Sequence, residues 1–308
     1  SLLFKKQAEG RKYMDLKEKR NDAWKKVIQT VRQNPPWIYN YLARFRRMRD
    51  YSANNIILAL VQSGGLASEI HGPMGWDERG AKVFHCLPDD YVFGPITIYA
   101  PTEESMHKAR KEYAEVQVFD IQDTDFNESP EMFVPNSHEK GKRRWDVFFD
   151  VMEGILKHKD WHVRPGEGFE FRREEKTIIY DKSCRLGEVA QRLFAYTCCV
   201  ELMEAAAKDQ KFQPSWLKWR KHPLTMNEAN VLCSSAAIIV GDIFDYFIED
   251  GKDKAWVMPK EKEDKFLTDP KFYLSGAIKL AQPLLREVEQ SCKDRDIVIR
   301  KDKKKKSK

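Results

Sequence analysis

The chain has 308 residues, 33% of them charged and 42% hydrophobic, with a net charge of +6 at neutral pH. That length and balance provide for one large or two medium globular domains with ample core. No apolar run approaches the ~20 residues of a membrane helix, so no membrane partner is expected.

The charge is unevenly placed. From Lys5 to Arg49 basic residues outnumber acidic ones by roughly three to one, and the end of the chain reads Lys303-Lys304-Lys305-Lys306, whereas Asp120 to Glu131 is acidic. A basic segment favours a polyanionic partner over a neutral one. The cysteines Cys86, Cys184, Cys198, Cys199, Cys233 and Cys292 form no Cys-x-x-Cys pair. Neither a zinc ribbon nor a disulfide framework is therefore expected, which points to a reducing compartment. Ser1-Leu2-Leu3-Phe4-Lys5 does not have the pattern of a signal peptide, and the expected location is cytoplasmic.

In chain order, Lys12 to Arg32 carries a partly regular apolar stripe (Met14, Ala23-Trp24, Val27-Ile28, Val31) that predicts a helix, stopped by Asn34-Pro35-Pro36. A second helix is expected from Trp37, with Tyr41, Leu42 and Phe45 on one side and Arg44, Arg46, Arg47 and Arg49 mostly on the other. Ser52 or Asn54 should then cap a short apolar helix from Asn55 to Gln62. Gly64 to Gly80 is rich in turn residues. Short β patterns follow at Ala81–Cys86, Ile96–Ala100 and Val116–Phe119, so the first module reads as helices packed on a small antiparallel sheet. The polar stretch Thr124 to Gly141 marks a boundary. Beyond it come a helix from Arg144 to Lys157, β patterns at Trp161–Arg164, Phe169–Arg172 and Thr177–Tyr180, and helices at Leu186–Lys208, Asn227–Ile248 and Phe272–Cys292. The fold class is thus α+β, divided as 1–124, a linker 125–142, a mainly helical domain with a short sheet over 143–295, and a basic tail 296–308.

The densest functional signal is Arg44-Phe45-Arg46-Arg47-Met48-Arg49-Asp50-Tyr51-Ser52-Ala53-Asn54-Asn55. Arginine forks pair with phosphate oxygens, and a tyrosine ring offers a face on which an unpaired base stacks. Trp76, Arg79, Lys82 and Tyr99 repeat the aromatic-plus-basic theme downstream. The competing reading is a solvated basic helix over ordinary core aromatics. Ser52 and Asn54 suit a helix cap as well as a phosphate contact, and a tryptophan in a glycine-rich turn is more often a core plug than a stacking platform.

Phe45-x5-Tyr51-Ser52-x-Asn54-x3-Leu58-x3-Gln62, then Gly75-Trp76-x3-Gly80-x-Lys82-Val83, then Ile96-x-Ile98-Tyr99-Ala100-Pro101, resembles the N-terminal domain of antirestriction proteins of the ArdC/LtrC type. The likeness spans roughly Trp37 to Thr124. It implies a single-stranded-DNA-binding module with contacts from Arg46, Arg49, Tyr51, Asn54, Gln62, Trp76 and Lys82. Arg44, Arg47 and Arg79 join this set on charge and position. RNA or duplex DNA are the related partners. One departure is His85-Cys86-Leu87-Pro88-Asp89-Asp90, where the family has a Lys-Gly-rich turn; Asp89 and Asp90 would repel phosphate.

The same resemblance implies a second, zincin-like domain. In such enzymes an H-E-x-x-H helix supplies two zinc ligands and a general base. At the corresponding place this chain reads Ala195-Tyr196-Thr197-Cys198-Cys199, and Met226 stands where a third, acidic ligand would precede Asn227-Glu228-Ala229-Asn230. No histidine occurs from Lys182 to Lys221. His158-x3-His162 has metal-like spacing but straddles the end of a predicted helix, and His138 lacks a second histidine. No phosphate-binding Gly-Lys loop, Rossmann context or nucleophile elbow is present. The expectation is a non-enzyme without metal or other cofactor: a single-stranded-DNA-binding accessory protein of a plasmid, conjugative element or phage. Its second domain would be a degenerate peptidase scaffold for self-association or a protein partner. The alternatives are an interaction module that inhibits a host nuclease or defence protein, and a metallopeptidase with atypical ligands.

Overall fold

The structure is a computed structural model that describes residues 2–84, 93–108, 111–125, 132–133, 144–209, 211, 213–218, 222–241, 257–293 and 299–300. The chain divides into two compact units, Ser1–Phe126 and Asn127–Lys308.

The first unit begins with α1 (Leu2–Gln33), longer than its apolar stripe predicted, followed by α2 (Trp37–Arg47) and α3 (Ala53–Gln62). Asn34-Pro35-Pro36 interrupts the first two, and the amides of Trp37 and Ile38 bond back to the carbonyls of Asn34 and Pro35. The cap of α3 is Ser52, whose hydroxyl accepts from the Asn55 amide; Asn54 lies inside the helix. Helix α3 ends at Gly64 and Gly65, which have φ of +62° and +85°. Both values favour glycine. Gly65 is further constrained because a Cβ there would come within 2.4 Å of the Trp37 ring.

Strands β1 (Ile70–His71), β2 (Ile96–Pro101) and β3 (Tyr113–Asp120) form an antiparallel sheet ordered β1-β3-β2. The short helix α4 (Pro73–Glu78) lies within the glycine-rich stretch, with Pro73 at its first turn. The β pattern at Ala81–Cys86 reduces to one bridge, Val83 to Thr124; Cys86 lies outside the described residues, as does the Asp89-Asp90 turn. The core joins Trp24, Val27 and Val31 of α1 with Ile38, Leu42 and Phe45 of α2, Ile56, Ile57 and Leu60 of α3, and Ile98 and Val118 of the sheet. Trp76, Ala81 and Val83 form a smaller cluster packed against Phe119 and Ile121.

In the second unit, β4 (Met132–Phe133) pairs antiparallel with β8 (Ile299–Arg300). Pieces of the expected linker and the expected tail are therefore strands of one small ribbon. Helix α5 (Arg144–Lys157) leads into β5 (His162–Gly166), β6 (Glu170–Arg172) and β7 (Thr177–Asp181), ordered β5-β7-β6, with β5 parallel and β6 antiparallel to β7. Then come α6 (Leu186–Ala207), α7 (Ser215–Lys218), α8 (Met226–Gly241), α9 (Lys260–Thr268) and α10 (Pro270–Lys293). Residues 242–248, expected as the end of α8, lie outside the described residues, and α9 was not legible in the polar run Lys260–Asp264.

Helix α8 packs against both α6 and α10, and α10 also packs on α5. From Val231 to Gly241 every residue of α8 is buried, so it is apolar all round rather than amphipathic. Its close approach to α10 occurs at Gly276, where a Cβ would lie 2.7 Å from Leu232 Cδ1. A polar knot also lies within this unit. Lys159 Nζ reaches Glu201 at 2.5 Å, Glu287 at 2.9 Å and Glu204 at 3.6 Å, with only 10% of the lysine side chain exposed. Burial opposes the lysine charge, but bonds to Glu201 and Glu287 win and raise its pKa.

Candidate nucleic-acid interface

The residues singled out for nucleic-acid contact separate into those held by the fold and those left at its surface. Gln62 belongs to the first group. Its side-chain amide donates to the Thr97 carbonyl at 2.8 Å, and its oxygen accepts from the Thr97 amide at 2.9 Å. Two residues further along β2, Asn55 repeats the arrangement. It donates to the Tyr99 carbonyl at 2.8 Å and accepts from the Tyr99 amide at 3.2 Å.

In the β2–β3 register Thr97 and Tyr99 are the residues whose backbone groups point away from β3. Two carboxamides on one face of α3, seven residues apart, therefore act as a surrogate strand along the sheet edge. Seven helical residues rise about 10.5 Å while two strand residues span roughly 7 Å, and the extra methylene of Gln62 takes up part of the difference. The arrangement closes an edge that would otherwise offer unpaired backbone groups to another chain. Asn55 was missed as a key residue. Its signal was the i, i+7 spacing of two amides on a helix otherwise apolar enough to be buried.

Four further candidates are committed to the fold. Asn54 accepts from the Trp24 indole at 2.9 Å, which ties α1 to α3. Arg44 bonds Asn40 at 2.7 Å and the Ala67 carbonyl at 3.0 Å, and also holds the Leu66 carbonyl, so it clamps the turn after α3. Trp76 is fully buried and donates its indole N–H to the Phe119 carbonyl at 3.0 Å. It is a core plug, and no face of it is open for a base to stack on. Arg79 pairs with Glu69 at 2.8 Å, and Glu69 also meets His71 at 3.2 Å.

At the surface, Lys82 is exposed and Arg49 and Tyr51 are half-buried. Burial, with help from Asp50 and Glu69, raises the Tyr51 pKa. Arg46 and Arg47 lie in the last turn of α2, and their side chains are outside the described residues. Helix α1 adds exposed Lys17, Lys25, Lys26 and Arg32, although Lys25 pairs with Asp22 at 2.9 Å. Arg20 behaves differently: its guanidinium lies 5.3 Å from the Tyr113 ring and 5.9 Å from the Tyr99 ring. Its role is packing of α1 on the sheet.

The second unit was expected to lack metal ligands where an H-E-x-x-H helix would place them, at Ala195-Tyr196-Thr197-Cys198-Cys199. In α6 the Thr197 hydroxyl bonds the Leu193 carbonyl one turn back, and Cys198 is fully buried. His158 and His162 are both exposed, one just after α5 and the other on β5. Among the described residues no group of three or more His, Cys, Asp or Glu side chains is placed to hold a metal ion. His138 lies outside them. No described helix is long and apolar enough to cross a membrane.

No protein family and no curated protein matches the chain by sequence. Among solved structures it is similar to the antirestriction protein ArdC from plasmid R388 in its Mn(II)-bound form. The identity is 11% and the TM-score 0.44, over 88% of this chain and 97% of that one. The metal-free form of the same protein aligns at 11% identity and a TM-score of 0.38, over 79% and 86% of the two chains.

Proposed function

We propose that the N-terminal unit binds single-stranded nucleic acid, DNA in the first instance, and that the protein serves a mobile element as an antirestriction-type accessory factor. The observation that carries the binding proposal is where α1 puts its charge. Val27, Val31, Ile38, Leu42 and Phe45 are buried to within 1%, whereas Lys17, Lys25, Lys26 and Arg32 are exposed. Much of the basic excess of α1 therefore lies at the surface, with Lys17 and Lys26 exposed. Arg46, Arg47, Arg49, Tyr51 and Lys82 are the contacts we assign to the strand, with Tyr51 as the stacking ring. Arg44, Asn54, Gln62, Trp76 and Arg79 support that surface from beneath. The C-terminal unit is proposed as a non-catalytic, peptidase-like scaffold for self-association or a protein partner.

The test is a fluorescence-anisotropy titration of single- and double-stranded DNA and RNA across a salt series. Arg46→Ala with Arg49→Ala should weaken binding and reduce the log–log salt slope by about 1.4, two phosphate contacts at roughly 0.7 each for a single strand. Unchanged affinity and slope would remove the proposal.

A further inference from the structure

One cation of the first unit is packed without being paired. Arg20 lies on α1, with its guanidinium carbon 5.3 Å from the centre of the Tyr113 ring and 5.9 Å from that of Tyr99. The two tyrosines share one face of the sheet. Tyr99 stands opposite Glu115 in the β2–β3 register and donates its hydroxyl to the Glu115 carboxylate at 3.0 Å. Tyr113 is two residues from Glu115 along β3, and so on the same side. The Glu115 carboxylate also accepts from Lys19 Nζ at 3.1 Å, and Glu112 is matched by Lys108 at 3.2 Å. Both acids therefore have lysine partners. Arg20 is half-buried and its Nε is shut off from solvent, yet among the described residues it makes no ion pair and no hydrogen bond.

We propose that Arg20 is a phosphate-binding residue which, steadied by Tyr99 and Tyr113, takes a backbone phosphate of the bound single strand and extends the interface onto α1. The source of that phosphate rests on the single-strand reading above.

Packing accounts for the ring contacts of Arg20 but not for its N–H groups. A cation–π contact engages the charge and leaves the donors of the guanidinium uncommitted. A buried donor without an acceptor is costly, and a methionine would fill the same space at no such cost. A phosphate supplies what is missing, because an arginine fork matches two of its oxygens while a lysine offers only a point charge. The setting is fixed in advance. Trp24, one turn along α1 from Arg20, donates to Asn54 at 2.9 Å, and Asn55 holds the backbone of Tyr99 at both its amide and its carbonyl. Helix and strand are thus tied together where the guanidinium sits, which lowers the ordering cost of binding. Lys17, three residues before Arg20 and on the same side of α1, is exposed and without an ion pair among the described residues. It adds to the positive potential there.

The experiment follows the arginine Nε–H resonances of the full chain by nitrogen–proton NMR, with Arg20→Lys identifying the Arg20 signal by its loss. The titrants are inorganic phosphate and a short oligothymidylate. The Arg20 signal should shift saturably with both, and with the oligonucleotide at the lower concentration. By anisotropy, Arg20→Met should reduce the log–log salt slope of oligonucleotide binding by about 0.7, one phosphate contact on a single strand. Arg20→Lys should keep the slope and weaken binding several-fold, since the charge stays and the fork is lost. An arginine that only packs α1 on the sheet would move neither the resonance nor the slope. An Arg20 signal that neither titrant shifts, in a wild type that binds the oligonucleotide, overturns this inference and leaves the single-strand reading standing. A saturable shift with phosphate in a wild type that binds no oligonucleotide sustains the phosphate site and sinks that reading instead. A wild type that responds to neither titrant overturns both.

Discussion

Replacing Asn55 by leucine tests the surrogate strand directly. The side chain keeps its branching and heavy-atom count but loses both bonds to β2, leaving the amide and carbonyl of Tyr99 without partners. Asn55 is 7% and Tyr99 6% exposed, so water does not readily substitute. Each orphaned group costs about 1–3 kcal/mol. Burying leucine instead of an amide returns about 1 kcal/mol, and the net loss is about 3 kcal/mol. Gln62→Leu removes the same two bonds at an exposed position, where water takes over, and should cost no more than about 1 kcal/mol. Native-state hydrogen exchange of the full chain reads the difference at single amides. The Tyr99 amide should exchange about a hundredfold faster in Asn55→Leu, and the Thr97 amide only a few-fold faster in Gln62→Leu. Equal effects of the two substitutions, or a Tyr99 amide as protected as in the wild type, would refute the idea that α3 seals the sheet edge.

Trp76→Ala should lower stability by about 3–5 kcal/mol in urea unfolding monitored on the first unit. Any loss of nucleic-acid binding should be regained under conditions where the variant is folded. Arg44→Ala should lower the thermal midpoint by releasing the Leu66 and Ala67 carbonyls, yet leave the salt slope of binding unchanged, in contrast to the Arg46/Arg49 pair. Lys159→Met should destabilise the second unit by about 3–5 kcal/mol, because Glu201, Glu204 and Glu287 are left facing one another. Glu201 already has a raised pKa from burial. Its protonated form is favoured on folding, so the deficit should shrink as pH falls through the carboxylate range. Asp120 works in the same direction in the wild type. Burial raises its pKa even though the Ser68, Glu69 and Gln122 amides donate to it. Stability from this group is full below the ordinary carboxylate pKa and falls as pH rises through its raised value. Asp120→Ala should flatten that part of the pH–stability curve while lowering it overall.

Much of the local structure was determined by local sequence. The Pro35-Pro36 stop, the Ser52 cap and the apolar period of α6 are legible because each rests on neighbours within a few residues: a missing amide, a hydroxyl in reach of a helix amide, side chains one turn apart. Strands β5 to β7 are legible for the same reason. The strand at Ile70–His71 was not, because two residues carry no period and owe their state to pairing with Phe119 and Asp120. The ribbon of β4 and β8 joins segments about 170 residues apart, which no local pattern encodes.

The candidate site shows the same division. Sequence alone located the aromatic, amide and basic residues and the absence of histidines from α6. It could not assign them, since a carboxamide serves a phosphate, a base edge or a backbone strand equally well. Only the tertiary structure placed Gln62 against Thr97, Asn54 against Trp24, Arg44 on two carbonyls and Trp76 inside. With Arg79 paired to Glu69, it thereby moved five candidates from the proposed interface to the frame beneath it. What decides is desolvation. A buried backbone edge demands hydrogen-bond partners whose identity depends on which elements meet in space, and that meeting is a property of the fold rather than of any one stretch of chain.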